Sequence, residues 1–226
     1  EFTVVHGLPG AVQHFSRAGY GGLAAGLGSS TVFRIPFGNA LVEAYRLEQD
    51  GGLGLTSTAL PSGTIGVDRA VVNERYVFGQ QSGSAYELVA FTPDAGFESL
   101  DLDPRSGVSS MPERLVTTGS RLFYVAASDA GRELLVSDGT RAGTQVFADL
   151  TPGGGSTTFG QLAALEGVLF AHVRSAPFTG RLLRTRADGG PGLEEVFKPD
   201  GGSFALTTLQ AEEGGLYLLE APGQRA

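Results

Sequence analysis

Short apolar runs of four to six residues recur along the chain, each bounded by glycine or polar turn residues. Five of them align: GLGSSTVFRIPFG (26–38), VVNERYVFGQQSG (71–83), TTGSRLFYVAASD (117–129), ALEGVLFAHVRSA (164–176) and AEEGGLYLLEAPG (211–223). Each carries an aromatic at its heart: Phe33, Phe78, Phe123, Phe170 and Tyr217, spaced by 45, 45, 47 and 47 residues. Runs this short, between turn residues, predict strands rather than helices.

Three further runs keep step with them. A second strand follows the first four, with Leu41, Leu88, Leu134 and Leu182 at matching places. It closes on Asp50, Asp94, Asp138 or Asp188, each followed by glycine one or two places on. A third strand runs toward a proline (3–10, 54–63, 97–107, 144–154, 194–202), and a fourth leads into the next aromatic strand (21–26, 68–73, 113–119, 160–167, 205–214). Four strands per repeat of about 47 residues is the period of a β-propeller blade. The expectation is an all-β single domain over residues 1–226, a propeller of five blades with four short antiparallel strands each. Blades are covered on both faces by their neighbours, so their inner strands should be apolar without interruption. Leu122–Val125, Val168–Phe170 and Leu216–Leu219 are so. The second strand has four copies where the others have five. Pairing of Phe2–Gly7 with the last blade would sew the ring, and a chain cut from something longer would explain the same gap.

Composition narrows the function. Glycine, at 35 of 226 residues, is about twice its usual share of roughly 7% and suits many tight turns. The net charge is −8 and only one of the sixteen basic residues is a lysine, Lys198. With no basic cluster, nucleic acid is not an expected partner. No apolar run is long enough for a transmembrane helix. Cysteine is absent, which removes disulfides, thiolate catalysis and cysteine-bound metal.

GRELLVSDGTRAGT (131–144) resembles the motif E-L-W-x-x-D-G-T-x-x-G-T of secreted and surface repeat proteins of bacteria, sometimes called hyalin-like. Glu133, Leu134, Asp138, Gly139, Thr140, Gly143 and Thr144 match it, and Leu135 stands for the tryptophan. The resemblance is sharp over residues 112–173. It implies an extracellular or cell-surface setting and an interaction or adhesion role, and it brings no catalytic signature. VVHGLPGA (4–11) is similar to the first strand of secreted bacterial immunoglobulin-like domains. That implies an alternative division, a sandwich over 1–100 and a partial propeller over 101–226. Asp138-Gly139 itself predicts a tight hairpin of type I′ between the second and third strands.

Candidate chemistry is sparse. His6, His14 and His172 lack metal-ligand spacing, and no G-x-S-x-G elbow is present. His172, within LFAHV, reads as a partly buried strand residue. Asp101 and Asp103 alternate with leucine and would share one side of a strand. Such a pair could serve glycoside hydrolysis or calcium, and a solvated face explains it as well. The adjacent pairs Glu194-Glu195 and Glu212-Glu213 read as surface charge, and Gly153–Gly155 lacks the phosphate-loop pattern. Phe15, Tyr20, Phe178 and Phe204 lie in long connections and are the candidate ligand-binding residues. No catalytic residue, metal ligand or cofactor is assigned. The expected function is a non-enzymatic scaffold binding a protein or a cell surface. A carbohydrate-binding lectin is the alternative, and a glycan-acting hydrolase the third reading.

Overall fold

The computed structural model describes residues 23–25, 31–34, 42–47, 53–59, 64–102, 108–176, 179–186, 190–202, 204, 206–212 and 215–220. Phe2–Gly7, and with it the proposed sewing of the ring, lies outside them, as does the N-terminal stretch that resembles an immunoglobulin-like strand.

The described residues form eighteen strands in consecutive antiparallel sheets. The first sheet holds β1 (Leu23–Ala25), β2 (Thr31–Arg34), β3 (Val42–Leu47) and β4 (Leu53–Ala59). The second holds β5 (Thr64–Val72), β6 (Arg75–Ser82), β7 (Ala85–Thr92) and β8 (Gly96–Ser99). The third holds β9 (Glu113–Thr118), β10 (Arg121–Ser128), β11 (Gly131–Ser137) and β12 (Gln145–Ala148). The fourth holds β13 (Phe159–Leu165), β14 (Val168–Ala176), β15 (Thr179–Thr185) and β16 (Leu193–Val196). The last has two strands, β17 (Leu206–Glu212) and β18 (Gly215–Glu220). Within every sheet the strands run in chain order, up and down. The chain is therefore all-β, built of four-stranded meanders.

Middle strands are buried on both faces, as their unbroken apolar runs require. Along β10, Leu122 and Tyr124 pack with Val77, Leu88 and Ala90 of the second sheet. Phe123 and Val125, one residue out of phase, pack with Leu169, Ala171 and Leu183 of the fourth. Leu182 of the fourth sheet packs with Leu206 and Leu209 of the fifth. Each core thus lies between consecutive sheets. A fully buried large side chain contributes about 1.5–3 kcal/mol, so the sheets hold one another rather than standing alone.

The hairpins set the register and correct the aromatic spacing. β5 and β6 are joined by Asn73-Glu74, both at positive φ (46° and 60°), and β13 and β14 by Glu166-Gly167 (51° and 79°). Positive φ at both central residues is the type I′ condition, which matches the twist of paired strands. Counted from these turns, Val77, Phe123, Phe170 and Tyr217 are equivalent, and the first three face the following sheet. Phe78, one residue on, points to the opposite face, because a single-residue step inverts every side chain of a strand. Tyr217 and Leu219 hold this forward position in the last sheet and are 54% and 61% exposed.

Asp138-Gly139 does not form the two-residue hairpin its sequence predicts. Gly139 takes φ 90° while Asp138 keeps an ordinary backbone, and residues 138–144 form one loop between β11 and β12. The threonines close it. Asp138 accepts from Thr140 N (2.8 Å) and Thr140 Oγ1 (2.7 Å). Thr144 Oγ1 donates to Thr140 O (2.6 Å), and Ser137 Oγ lies 2.8 Å from Thr144 Oγ1. These local bonds replace the ladder. A Cβ at Gly139 would come within 2.7 Å of Arg75 Cδ, so the loop sits directly on the second sheet.

Candidate functional site

The acidic residues suited to chemistry are mostly committed to the fold. Glu133, the glutamate of the motif, is fully buried on β11. It accepts from Leu150 N (3.0 Å), Thr157 N (3.0 Å) and Thr157 Oγ1 (2.8 Å). Those donors lie on the connection from the third sheet to the fourth. Glu87 does the same one unit earlier, accepting from Ser110 N (3.0 Å) and Ser110 Oγ on the connection to β9. A carboxylate meeting backbone N–H groups is the strong form of hydrogen bond, and here it pins each connection to the sheet before it. Asp138 is bound by Thr140, whose hydroxyl holds its carboxyl below the usual range. Glu194 takes Arg184 Nε at 2.7 Å, and Glu195 lies 4.0 Å from Arg181 Nη1.

The remaining sequence candidates do not come together. Asp101 lies just past β8, half-buried; burial, and after it the Asp101 charge, raises the pKa of the Tyr124 phenol. It is not on a strand, so alternation with leucine does not place it on a solvated face. Asp103 lies outside the described residues, as do Phe15, Tyr20, Phe178, His6 and His14. Phe204 bridges to Gly180 and packs on the core between the fourth and fifth sheets, under Lys198 Nζ at 5.6 Å. His172 is buried, and desolvation followed by Arg174 lowers its pKa. Its ring fills the space over Gly160 and Gly180, where any Cβ would strike it. Among the described residues no group of three His, Asp or Glu could hold a metal ion.

The described residues do contain a cavity the sequence did not single out. It measures about 400 Å³ and is lined by Asp68, Glu113, Arg114, Leu115, Val116, Gln161 and Leu162. All belong to β5, β9 and β13, the first strands of three successive sheets, which lie side by side. Each of these strands is bulged near its start: between Ile65 and Arg69, between Glu113 and Val116, and between Phe159 and Leu162. Bulges bend a strand and re-aim its side chains, and they are common beside functional sites. Five residues before each hairpin turn stand Asp68, Arg114 and Gln161, equivalent in place and different in chemistry. Asp68 Oδ2 accepts from Arg114 N (3.0 Å), and Gln161 Oε1 from Leu209 N (2.7 Å), lacing β5 to β9 and β13 to β17.

Arg114 is the unusual member. It holds φ 60°, a left-handed conformation costing a non-glycine residue about 1–3 kcal/mol. Its Nε is buried and finds no aligned acceptor among the described residues, although Glu113 Oε1 lies 3.3 Å away. Glu113 is held instead by Arg132 Nη2 at 3.0 Å. Both Nη atoms of Arg132 also donate to Met111 O at 3.1 Å. These bonds fix the Met111 backbone, at φ 48°, while the residue is 54% exposed and Val108, three residues earlier, is 40% exposed. Only the positive φ and the convergence of three strands mark this site, and neither leaves a motif.

No family model matches the chain and no curated protein is similar to it. Solved structures show a distant likeness. PorZ, a surface component of the type-IX secretion system of Porphyromonas gingivalis, shares 15% identity over 86% of this chain and 25% of its own, with a TM-score of 0.45. A nidogen/laminin complex shares 13% over 84% and 68%, with a TM-score of 0.43. Prolyl oligopeptidase B of Galerina marginata shares 11% over 81% and 29%, with a TM-score of 0.46. The chain thus spans about a quarter of the length of PorZ. With TM-scores below 0.5, fold and function rest on this chain's own residues. No helix among the described residues is long and apolar enough to cross a membrane.

Proposed function

We propose that this chain is a non-enzymatic extracellular interaction scaffold, a five-bladed β-propeller whose partner is a protein docking on the exposed apolar connection that leads into β9. The observation that carries the reading is the exposure of Met111 and Val108, two large apolar residues on the connection into β9 that Arg132 bonds at the Met111 carbonyl. Exposed apolar side chains on a backbone that a neighbour's guanidinium already fixes cost less ordering on binding than those on a free loop, which makes them suitable anchors. Loops on a rigid scaffold are the usual place for such contacts. The extracellular assignment rests on the resemblance of residues 131–144 to secreted repeat proteins. The five-blade count rests on the five copies of the inner strand, and the forward face of Tyr217 and Leu219 is where the closing blade would pack.

A photo-crosslinking residue placed at Met111 tests the docking face on intact cells that display the chain. A discrete protein adduct that disappears in the Val108→Glu variant supports the reading. Labelling spread over many proteins, or unchanged by V108E, overturns it. Turnover of glycosidic or peptide substrates by the purified chain would overturn the non-enzymatic assignment.

A further inference from the structure

The cavity between β5, β9 and β13 has its own chemistry, apart from the exposed Met111 and Val108. We propose that it is a saccharide site, in which Arg114, Asp68, Glu113 and Gln161 hold the hydroxyls of an uncharged sugar. This rests on the reading of the chain as a binding module, and goes beyond it by assigning a small ligand.

Charge is the first argument. Two carboxylates, Asp68 and Glu113, line the cavity with one guanidinium, Arg114, and Arg132 lies just behind Glu113. An anion would meet Asp68, and a cation would meet Arg114. An uncharged polyol meets neither penalty. Its hydroxyls both donate and accept, so it can give protons to carboxylate oxygens and take them from the guanidinium at once.

Unused hydrogen-bonding capacity is the second. Asp68 spends Oδ2 on Arg114 N, and its other oxygen has no partner among the described residues. Gln161 spends its carbonyl oxygen on Leu209 N, which leaves the amide protons as donors. The Arg114 guanidinium is a planar fork of donors whose Nε, 3.3 Å from Glu113 Oε1, is buried without an aligned acceptor. Donors and acceptors placed on three adjacent strands suit neighbouring hydroxyls on one ring. The volume of about 400 Å³ lies at the small end of ligand pockets, enough for one or two sugar residues.

Backbone strain is the third. Of the residues that line the cavity, Arg114 alone has a positive φ, a conformation that glycine would occupy more cheaply. A residue kept against local preference at a cavity wall fits a ligand contact.

The test is calorimetric titration with neutral hexoses, deoxyhexoses, N-acetylhexosamines and their disaccharides. Free amino acids and inorganic phosphate are run in parallel. At least one neutral sugar is expected to bind, at least tenfold more weakly to Arg114→Gly and measurably more weakly to Asp68→Asn. R114G should melt at or above the wild-type temperature, because glycine accepts φ 60°, so lost binding cannot be put down to unfolding. Three results overturn the proposal: no sugar binding at tens of millimolar, equal affinity in R114G, or binding of phosphate or amino acids alone. None of these touches the Met111 docking face, which V108E tests separately.

Discussion

Replacing Glu133 by glutamine should weaken the molecule at a defined joint. The carboxylate is fully buried and receives three donors, two on Oε1 and one on Oε2. Glutamine can keep an oxygen toward Thr157, and then its amide N–H₂ faces Leu150 N–H, donor against donor. One charge-assisted bond is lost, about 1.5–3 kcal/mol, and two others fall to neutral strength at about 1 kcal/mol each. Relief from burying a charge offsets part of this. The net cost is about 2–4 kcal/mol, which for a chain of this length lowers the melting midpoint by about 5–15 °C. Differential scanning calorimetry measures the midpoint, and hydrogen exchange locates the loss. The amides of Leu150 and Thr157 should exchange faster while those of β5 and β6 do not. A midpoint within 1 °C of wild type, or faster exchange spread evenly over all sheets, would refute the reasoning.

Other expectations are as direct. His172 is depressed by burial, so the unfolded chain takes up its proton first; stability should hold above pH 6.5 and fall as pH drops below that value. Denaturant midpoints between pH 7.5 and 5 check this, and His172→Gln should flatten the slope. Gly143→Ala puts a Cβ against the Asp138 carboxylate and should cost about 1–3 kcal/mol by urea melts, whereas the same change at the open turn glycine Gly83 meets only its φ of 62°. Asn73→Ala removes the bonds of Asn73 Nδ2 to Ser120 O and Asp138 O (2.9 Å each) at a positive-φ position. It should lower stability by about 1–3 kcal/mol. Because the chain has no cysteine, a Val5→Cys, Leu219→Cys pair reports ring closure cleanly. Mild oxidation should give an intramolecular disulfide, and its absence would argue against the sewn ring.

The strands were legible because each is short, apolar and fenced by turn residues. Burial on both faces left the unbroken run Leu122–Val125, whereas the equally apolar run Leu216–Leu219 keeps Tyr217 and Leu219 exposed. Two features were not legible. Phe78 looks equivalent to Phe123, and only the Asn73-Glu74 turn shows that Val77 holds that place; aromatic identity misled where hairpin geometry decides. The dipeptide Asp138-Gly139 has the letters of a tight hairpin, but Thr140 and Thr144 captured the backbone first. The candidate site was hidden for a different reason. Asp68, Arg114 and Gln161 stand 46 and 47 residues apart and share no chemistry. They become a site only when the first strands of three sheets meet. Conversely, the loudest motif in the sequence, Glu133 through Thr144, turned out to be joinery.

That division of labour can be measured in one comparison: sugar affinity by titration calorimetry for Glu133→Gln and Arg114→Gly, at a temperature where both are folded. The account predicts wild-type affinity for E133Q despite its lowered melting point, and at least tenfold weaker binding for R114G despite its undiminished one. Wild-type affinity in R114G, or lost affinity in fully folded E133Q, would contradict it.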